Sequence, residues 1–286
     1  MRKVKVVTDS TCDLSADIIA AYDLRVVPLS VRFGDEIYLD GVDFDSKELF
    51  RLVEEKKCLP QTAAPTPDDF RQVFQDLLGQ DYDILCVCLS SRLSATVQSA
   101  VIATGECPPG RVEVIDGLNL SSATGILALM AADLAEKGLP LAEIAPVIRS
   151  RVPDLRTMFV VDTLEYLYKG GRCSSLESLV ASVLKIHPLL TLEDGQIIVA
   201  EKIRGSVNKI VDRLYQRLWE DRERLEMDYL SVTGAGCYEL VQNLAERIKK
   251  EFPIKKVMAN EAGCVISSHC GPGTFGILYL VKGAGS

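Results

Sequence analysis

Ile84-Leu85-Cys86-Val87-Cys88-Leu89 is a continuous apolar run, and Ser90-Ser91-Arg92-Leu93-Ser94-Ala95-Thr96 follows it directly. A strand with one wet face alternates apolar and polar residues, whereas a strand covered on both faces does not. The run therefore reads as a buried central strand. Its two cysteines read as packing rather than as ligands. The polar segment after it leads into a helical stretch over 94–104, so its loop lies at the carboxyl edge of a sheet, where ligands of α/β proteins bind.

The pattern repeats outward from that run. Residues 4–7 form an apolar strand ending in the turn-formers Thr8-Asp9-Ser10, and Asp13-Leu14-Ser15 opens a helix through Tyr22. Residues 26–33 are β-rich up to Gly34-Asp35, and helices are predicted over 47–56 and 68–78 with a Pro-bounded loop at 62–67 between them. Phe70, Val73, Phe74, Leu77 and Leu78 share one face of the second helix. A strand over 111–115, an Ala/Leu-rich helix over 121–136 stopped at Gly138, and a helix after Pro140 complete this half. Such alternation predicts right-handed βαβ units on a mainly parallel sheet, a Rossmann-like α/β domain over 1–153.

The second half, 154–286, reads as an α+β domain. Residues 157–161 form a strand, and Ser174-Ser175-Leu176-Glu177 is a capping-box signature before a helix carried by Leu176, Leu179, Val180, Val183 and Leu184. Pro188 should stop that helix near His187. Residues 189–192 and 196–200 flank Asp194-Gly195, a hairpin signal. A helix over 206–219, a strand over 229–233, a helix over 238–250 and strands over 256–258 and 277–281 follow.

The chain has 286 residues, 32 Lys plus Arg against 40 Asp plus Glu, a formal charge of −8, and 48% hydrophobic residues. That composition excludes a disordered chain and predicts a sizeable core. The acidic balance argues against a general nucleic-acid binder, and no apolar run is long enough for stable membrane insertion. Nine scattered cysteines with no Cys-x-x-Cys predict reduced thiols and a cytoplasmic protein. With two histidines in the chain, no metal site is expected.

Several segments carry possible chemistry. Gly271-Pro272-Gly273-Thr274-Phe275-Gly276 has the letters of a dinucleotide fingerprint but runs into a strand instead of a helix. Gly234-Ala235-Gly236 does lie between a strand and a helix, but Glu239 takes the third glycine position, so a nucleotide-phosphate sensor is a weaker alternative. His269 beside the glycine-rich turn could present its ring to a ligand, or be a turn histidine satisfied by backbone. Ser94 could bind an anion at a helix start, or be a plain N-cap. Thr62 could supply another hydroxyl, or be a loop threonine. Arg172 in Lys169-Gly170-Gly171-Arg172 and Arg204 before Gly205 could bind phosphate or a negative partner surface, or be solvated. His187 reads as structural.

Taken in order, these segments resemble the DegV family of fatty-acid-binding proteins that serve bacterial fatty acid kinase. The matching stretches are Val7-Thr8-Asp9-Ser10-Thr11-Cys12-Asp13-Leu14, Thr62-Ala63-Ala64-Pro65, Leu89 to Thr96, Phe159 to Leu167 followed by Lys169 to Arg172, and His269 to Gly276. The resemblance covers essentially the whole chain. It implies two α/β domains enclosing a long-chain fatty acid, whose carboxylate is held by Thr62, Ser94 and His269. It places Arg172 and Arg204 near the mouth, where the kinase docks. It further implies that the protein presents the carboxylate for ATP-dependent phosphorylation, feeding phospholipid synthesis, with no catalytic residue or cofactor of its own.

The physical logic agrees. Each methylene removed from water contributes about 0.8 kcal/mol, and a buried carboxylate must be hydrogen-bonded. Two hydroxyls and an imidazole can do this without a fixed ion pair. The chain departs from the family pattern at Ala63 and Ala64, at Arg92 and Ala95 in place of glycines, at Asp116-Gly117-Leu118-Asn119 and at Ser206-Val207-Asn208. These departures bear on chain-length preference and on kinase docking. A serine/histidine acyl hydrolase using Ser94 or another serine with His269 is the competing reading, against which stand the missing G-x-S-x-G elbow and the lack of a third triad member.

Overall fold

The structure is a computed structural model and describes residues 2–173 and 187–283. The capping box at Ser174 and the helix expected after it lie outside these residues. Strands β1 (Val4–Asp9), β2 (Arg25–Val27), β6 (Asp83–Cys88) and β7 (Val112–Asp116) form an all-parallel sheet in the order β2-β1-β6-β7. The apolar run of β6 divides between two cores. Ile84, Cys86 and Cys88 face helices α3 (Pro67–Gly79) and α4 (Thr96–Thr104) together with Phe70, Phe74 and Leu77. Leu85 and Val87 face α5 (Ser122–Glu136) and α6 (Leu141–Arg151) together with Ile126, Leu127 and Ile144. Helix α3 starts where it does because Thr66 and Asp69 form a reciprocal capping box with Pro67 in the first turn.

Six strands form a second, mixed sheet in the order β10-β9-β8-β13-β11-β12. They are β8 (Leu155–Val160), β9 (His187–Glu193), β10 (Gln196–Ile203), β11 (Leu225–Ala235), β12 (Lys256–Glu261) and β13 (Thr274–Val281). Neighbours run antiparallel except β11 and β12, which are parallel. The β9–β10 hairpin turns on Asp194 and Gly195, both at positive φ (47° and 78°), as a tight two-residue turn requires. His187, expected at a helix end, opens β9. One face of this sheet carries α8 (Val207–Glu220) and α9 (Tyr238–Glu251) through Ile210, Leu214, Leu218, Val241, Leu244 and Ile248.

Helix α5 lies between the two large sheets. Residues 122 to 129 are all buried, and their cluster includes Leu85 and Val87 from the first sheet and Tyr229, Leu278 and Leu280 from the second. A helix apolar all round needs cover on every side, and here a sheet supplies each side. The parallel sheet takes strands only up to Asp116 and the mixed sheet only from Leu155, while this cluster takes residues from both sides of position 153.

A third sheet of three strands, β4-β3-β5, was not anticipated. The β-rich stretch over 26–33 is broken by Pro28, so β2 joins the parallel sheet while β3 (Ser30–Phe33) pairs with β4 (Glu36–Leu39) and β5 (Gln61–Ala63). Thr62 thus sits on a short edge strand instead of in a loop. Helices α2 (Ser46–Lys56) and α10 (Cys264–Cys270) cover this sheet through Leu49, Leu52, Cys264 and Val265. A further short helix, α7 (Glu165–Lys169), packs beside α10. Among the described residues no helix is long and apolar enough to cross a membrane.

Candidate functional site

Thr62 pairs directly with Val31, which is fully buried, so both side chains leave the same face of the small sheet. That face meets α10, and Thr62 Oγ1 lies 2.8 Å from His269 Nε2. Helix α10 is fixed at both ends. Its first N–H groups are taken by two buried carboxylates, Gly263 N–H to Asp13 at 2.8 Å and Cys264 N–H to Asp40 at 2.7 Å. Gly271, at φ 77°, ends it two residues after His269. Gly170 leaves room for the imidazole, since a Cβ there would stand 2.4 Å from His269 Nδ1.

Burial, and then the nearby charge of Arg172, push the His269 imidazole down to about 4. It is therefore neutral at pH 7, with one donor and one acceptor nitrogen. Nε2 meets Thr62, and Nδ1 is buried without a hydrogen bond among the described residues. Ser94 lines the same small cavity as Thr62, His269 and Arg172. Its hydroxyl lies 2.9 Å from Thr96 Oγ1, and the N-cap position belongs to Ala95 instead, because α4 begins at Thr96, two residues later than the sequence pattern suggests.

The structure therefore brings four of the five residues singled out from sequence to one cavity. Arg204 stands apart: it is exposed just beyond the end of β10. Ser94 bonds Thr96 and not His269, and no carboxylate meets His269 Nδ1. The nucleophile–base–acid relay of a serine hydrolase is not assembled among the described residues.

Three cavities adjoin one another and share lining residues. The innermost, about 60 Å³, lies over the second sheet. Its floor follows from strand register, because directly paired residues share a face. Phe159 pairs with Gly276 and Thr157 with Leu278, while Thr233 and Ala235 on β11 pair with Gly276 and Thr274. The floor thus runs along β13 from Thr274 to Leu278, roughly 13 Å at strand rise. Leu120, Ile266 and Cys270 close it from above. Burial pushes the Cys270 thiol up to about 12, so it stays protonated as part of the wall. The second cavity, also about 60 Å³, holds the polar cluster and shares Leu120, Ile197 and His269 with the first. The third, about 170 Å³, shares Leu93, Arg172 and Ile197 with the second.

Sequence reasoning missed the supports of this site. Asp9, Asp13 and Asp40 are all nearly inaccessible, and burial raises each of them, Asp9 to about 6. Asp9 accepts from Leu89 N–H at 2.8 Å and so anchors the Ser94 loop, while Asp13 also accepts from Ser121 Oγ at 2.5 Å. The signal was available in Asp9-Ser10-Thr11-Cys12-Asp13, polar residues at the carboxyl end of a central parallel strand. Among the described residues no group of three or more His, Cys, Asp or Glu side chains is placed to hold a metal ion.

The fold and cavities describe a layered α/β protein with an internal apolar pocket, a neighbouring cavity lined by Thr62, Ser94 and His269, and a further cavity lined by Arg92 and Arg172. Comparison with known proteins gives this class its family. The DegV family model matches residues 3–282, and the chain belongs to the DegV family. A DegV domain-containing protein of Caldanaerobacter subterraneus is 34% identical over 99% of this chain and its own full length. A Thermotoga maritima relative named a fatty acid-binding protein is 33% identical over 98% of this chain and 99% of its own. A solved structure described as fatty acid binding of a DegV family protein from Thermus thermophilus superposes with a TM-score of 0.91 at 32% identity, covering 98% of this chain and 99% of that one.

Proposed function

We propose that this protein binds a long-chain fatty acid, its acyl chain in the innermost cavity and its carboxylate at Thr62, Ser94 and His269. The observation that carries this reading is an apolar cavity that shares Leu120, Ile197, Ile266 and His269 with a neighbouring cavity lined by two hydroxyls and the neutral imidazole. An apolar chain gains from burial there in proportion to its length. The carboxylate gains hydrogen bonds from groups that carry no charge, so it remains a free nucleophile. The fatty-acid-binding relatives from Thermotoga maritima and Thermus thermophilus support the same ligand class.

The protein's role on this reading is presentation. A partner fatty acid kinase docks against Arg172 at the mouth and against the exposed Arg204 beyond the end of β10, and brings ATP. A carboxylate oxygen of the bound acid attacks the γ-phosphorus, the bond from that phosphorus to the bridging oxygen of ADP breaks, and ADP leaves. The acyl phosphate then supplies phospholipid synthesis. The chain contributes binding and orientation and no cofactor.

Mass spectrometry of freshly purified protein, native and then extracted, tests the first step. A stoichiometric long-chain acid is expected, and failure of delipidated protein to take up any C14–C18 acid at micromolar concentration would end the reading. Arg204→Ala tests the second. It should retain the acid and slow acyl phosphate formation by an added kinase, and equal loss of lipid from this variant would contradict the docking role.

A further inference from the structure

The mouth cavity of about 170 Å³ has Arg92, Arg172, Gly171 and Gln196 in its wall. Arg172 is held by carbonyls, its Nε–H donating to Leu93 O at 3.3 Å and an Nη group to Gly170 O at 2.7 Å. Carbonyls fix a guanidinium in place without cancelling its charge. Arg92 is anchored by its main-chain N–H, which donates to Ser90 Oγ at 3.1 Å. Its stem lies across the β9–β10 turn, where a Cβ on Gly195 would come within 3.2 Å of Arg92 Cγ. Neither guanidinium forms an ion pair among the described residues. Most other arginines are matched with acids, among them Arg111 with Asp83, Arg151 with Asp154 and Glu226, and Arg213 with Glu201 and Glu220, while Arg156 is held by carbonyls and Arg204 is exposed without an ion pair among the described residues.

Two cations without an acidic partner among the described residues share one cavity, in a chain of net charge −8. The cavity shares Leu93, Arg172 and Ile197 with the one that Thr62, Ser94 and His269 line, so a carboxylate held there would have the arginines next to it. A carboxylate already has its donors in the clamp. Two planar guanidinium forks suit an anion with several outward oxygens, and a phosphoryl group carries that geometry and a second charge near neutral pH. We propose that the mouth cavity is an oxyanion subsite in which Arg92 and Arg172 hold the phosphoryl group of an acyl phosphate whose chain fills the inner cavities. This rests on the fatty-acid reading above and adds Arg92 to it as a phosphoryl-binding residue.

Calorimetric titration of delipidated full-length protein with palmitate and with hexadecylphosphonate, at fixed ionic strength, tests it. The ratio of phosphonate to palmitate affinity should fall about tenfold in Arg92→Gln and be largely kept in Arg92→Lys. Equal thermal melting of the two variants separates this from a folding defect. An unchanged ratio in Arg92→Gln would overturn the subsite while leaving the fatty-acid reading intact. Arg92-dependent binding of inorganic phosphate to palmitate-loaded protein, with no phosphonate preference, would assign the cavity to a free phosphate and overturn the acyl phosphate. If neither lipid binds wild-type protein, the fatty-acid reading falls and the acyl phosphate subsite falls with it.

Discussion

Thr62 Oγ1 and His269 Nε2 meet at 2.8 Å across 207 residues of chain. The contact joins an edge strand of the small sheet to the last turn of α10, and among the described residues it is the imidazole's one hydrogen bond, since Nδ1 has none. Thr62→Val keeps the shape and removes the hydroxyl. It should weaken fatty acid binding about 10- to 150-fold, the value of one hydrogen bond to a charged group. Ser94→Ala should act in the same direction. Fluorescent-acid displacement on both variants measures this, and unchanged affinity in both would remove them from the clamp.

Protonation gives a second test. The His269 imidazole is lowered to about 4 in the folded protein against an ordinary 6.5, so the unfolded chain takes its proton first as pH falls. Its contribution to stability is full above 6.5 and is lost as pH falls toward 4. Asp9, raised to about 6, has the opposite sign, favouring the fold at low pH and losing that contribution as pH rises through 6. Urea unfolding of wild type and His269→Gln between pH 4.5 and 7 should show a stability difference that grows with pH. A bound carboxylate should raise the imidazole toward its ordinary range, which NMR titration of His269 with and without palmitate would detect.

The Leu278 end of the inner cavity should act as a length gauge. Leu278 stands at the far end of the floor from Thr274, opposite Thr157. Leu278→Ala opens space there, so the preferred acid should lengthen by about two carbons, at a stability cost of about 2–5 kcal/mol. Competition among C12 to C20 acids reads the shift. An unaltered profile would place the chain end elsewhere.

The hairpin turn is a docking point as well as a turn. Ser90 Oγ donates to Gly195 O at 2.7 Å, and a Cβ on Gly195 would stand 2.4 Å from that hydroxyl. Gly195→Ala therefore meets both a positive φ and a clash. It should lower the melting temperature by several degrees and speed acid release, measurable by stopped-flow transfer to vesicles. Asp194→Asn, compatible with positive φ, should leave both near wild type.

Most helices and central strands could be read from local pattern, because each is amphipathic or wholly apolar over a full span. The unbroken run at Ile84–Leu89 reads correctly because two cores consume alternate residues of it. The small sheet could not be read. Its strands are three or four residues long, and Pro28 divides a β-rich stretch between two sheets. Helix α10 escaped notice because seven residues of Cys, Val, Ile, Ser and His carry no strong helical signal, and its start is defined by Asp13 and Asp40 from remote loops. For the same reason the polar clamp was visible only by resemblance. Nothing local tells Thr62 that its partner is His269.

Helix α5 has a consequence for how the chain emerges during synthesis. One side of it packs on strands that precede it, and the other waits for Tyr229, Leu278 and Leu280, the last of them near the end of the chain. Until those residues appear, the nascent first half carries an uncovered greasy ridge. The two halves thus mature together, and a fragment ending near residue 153 would be sticky and in need of a chaperone, even though its parallel sheet is complete.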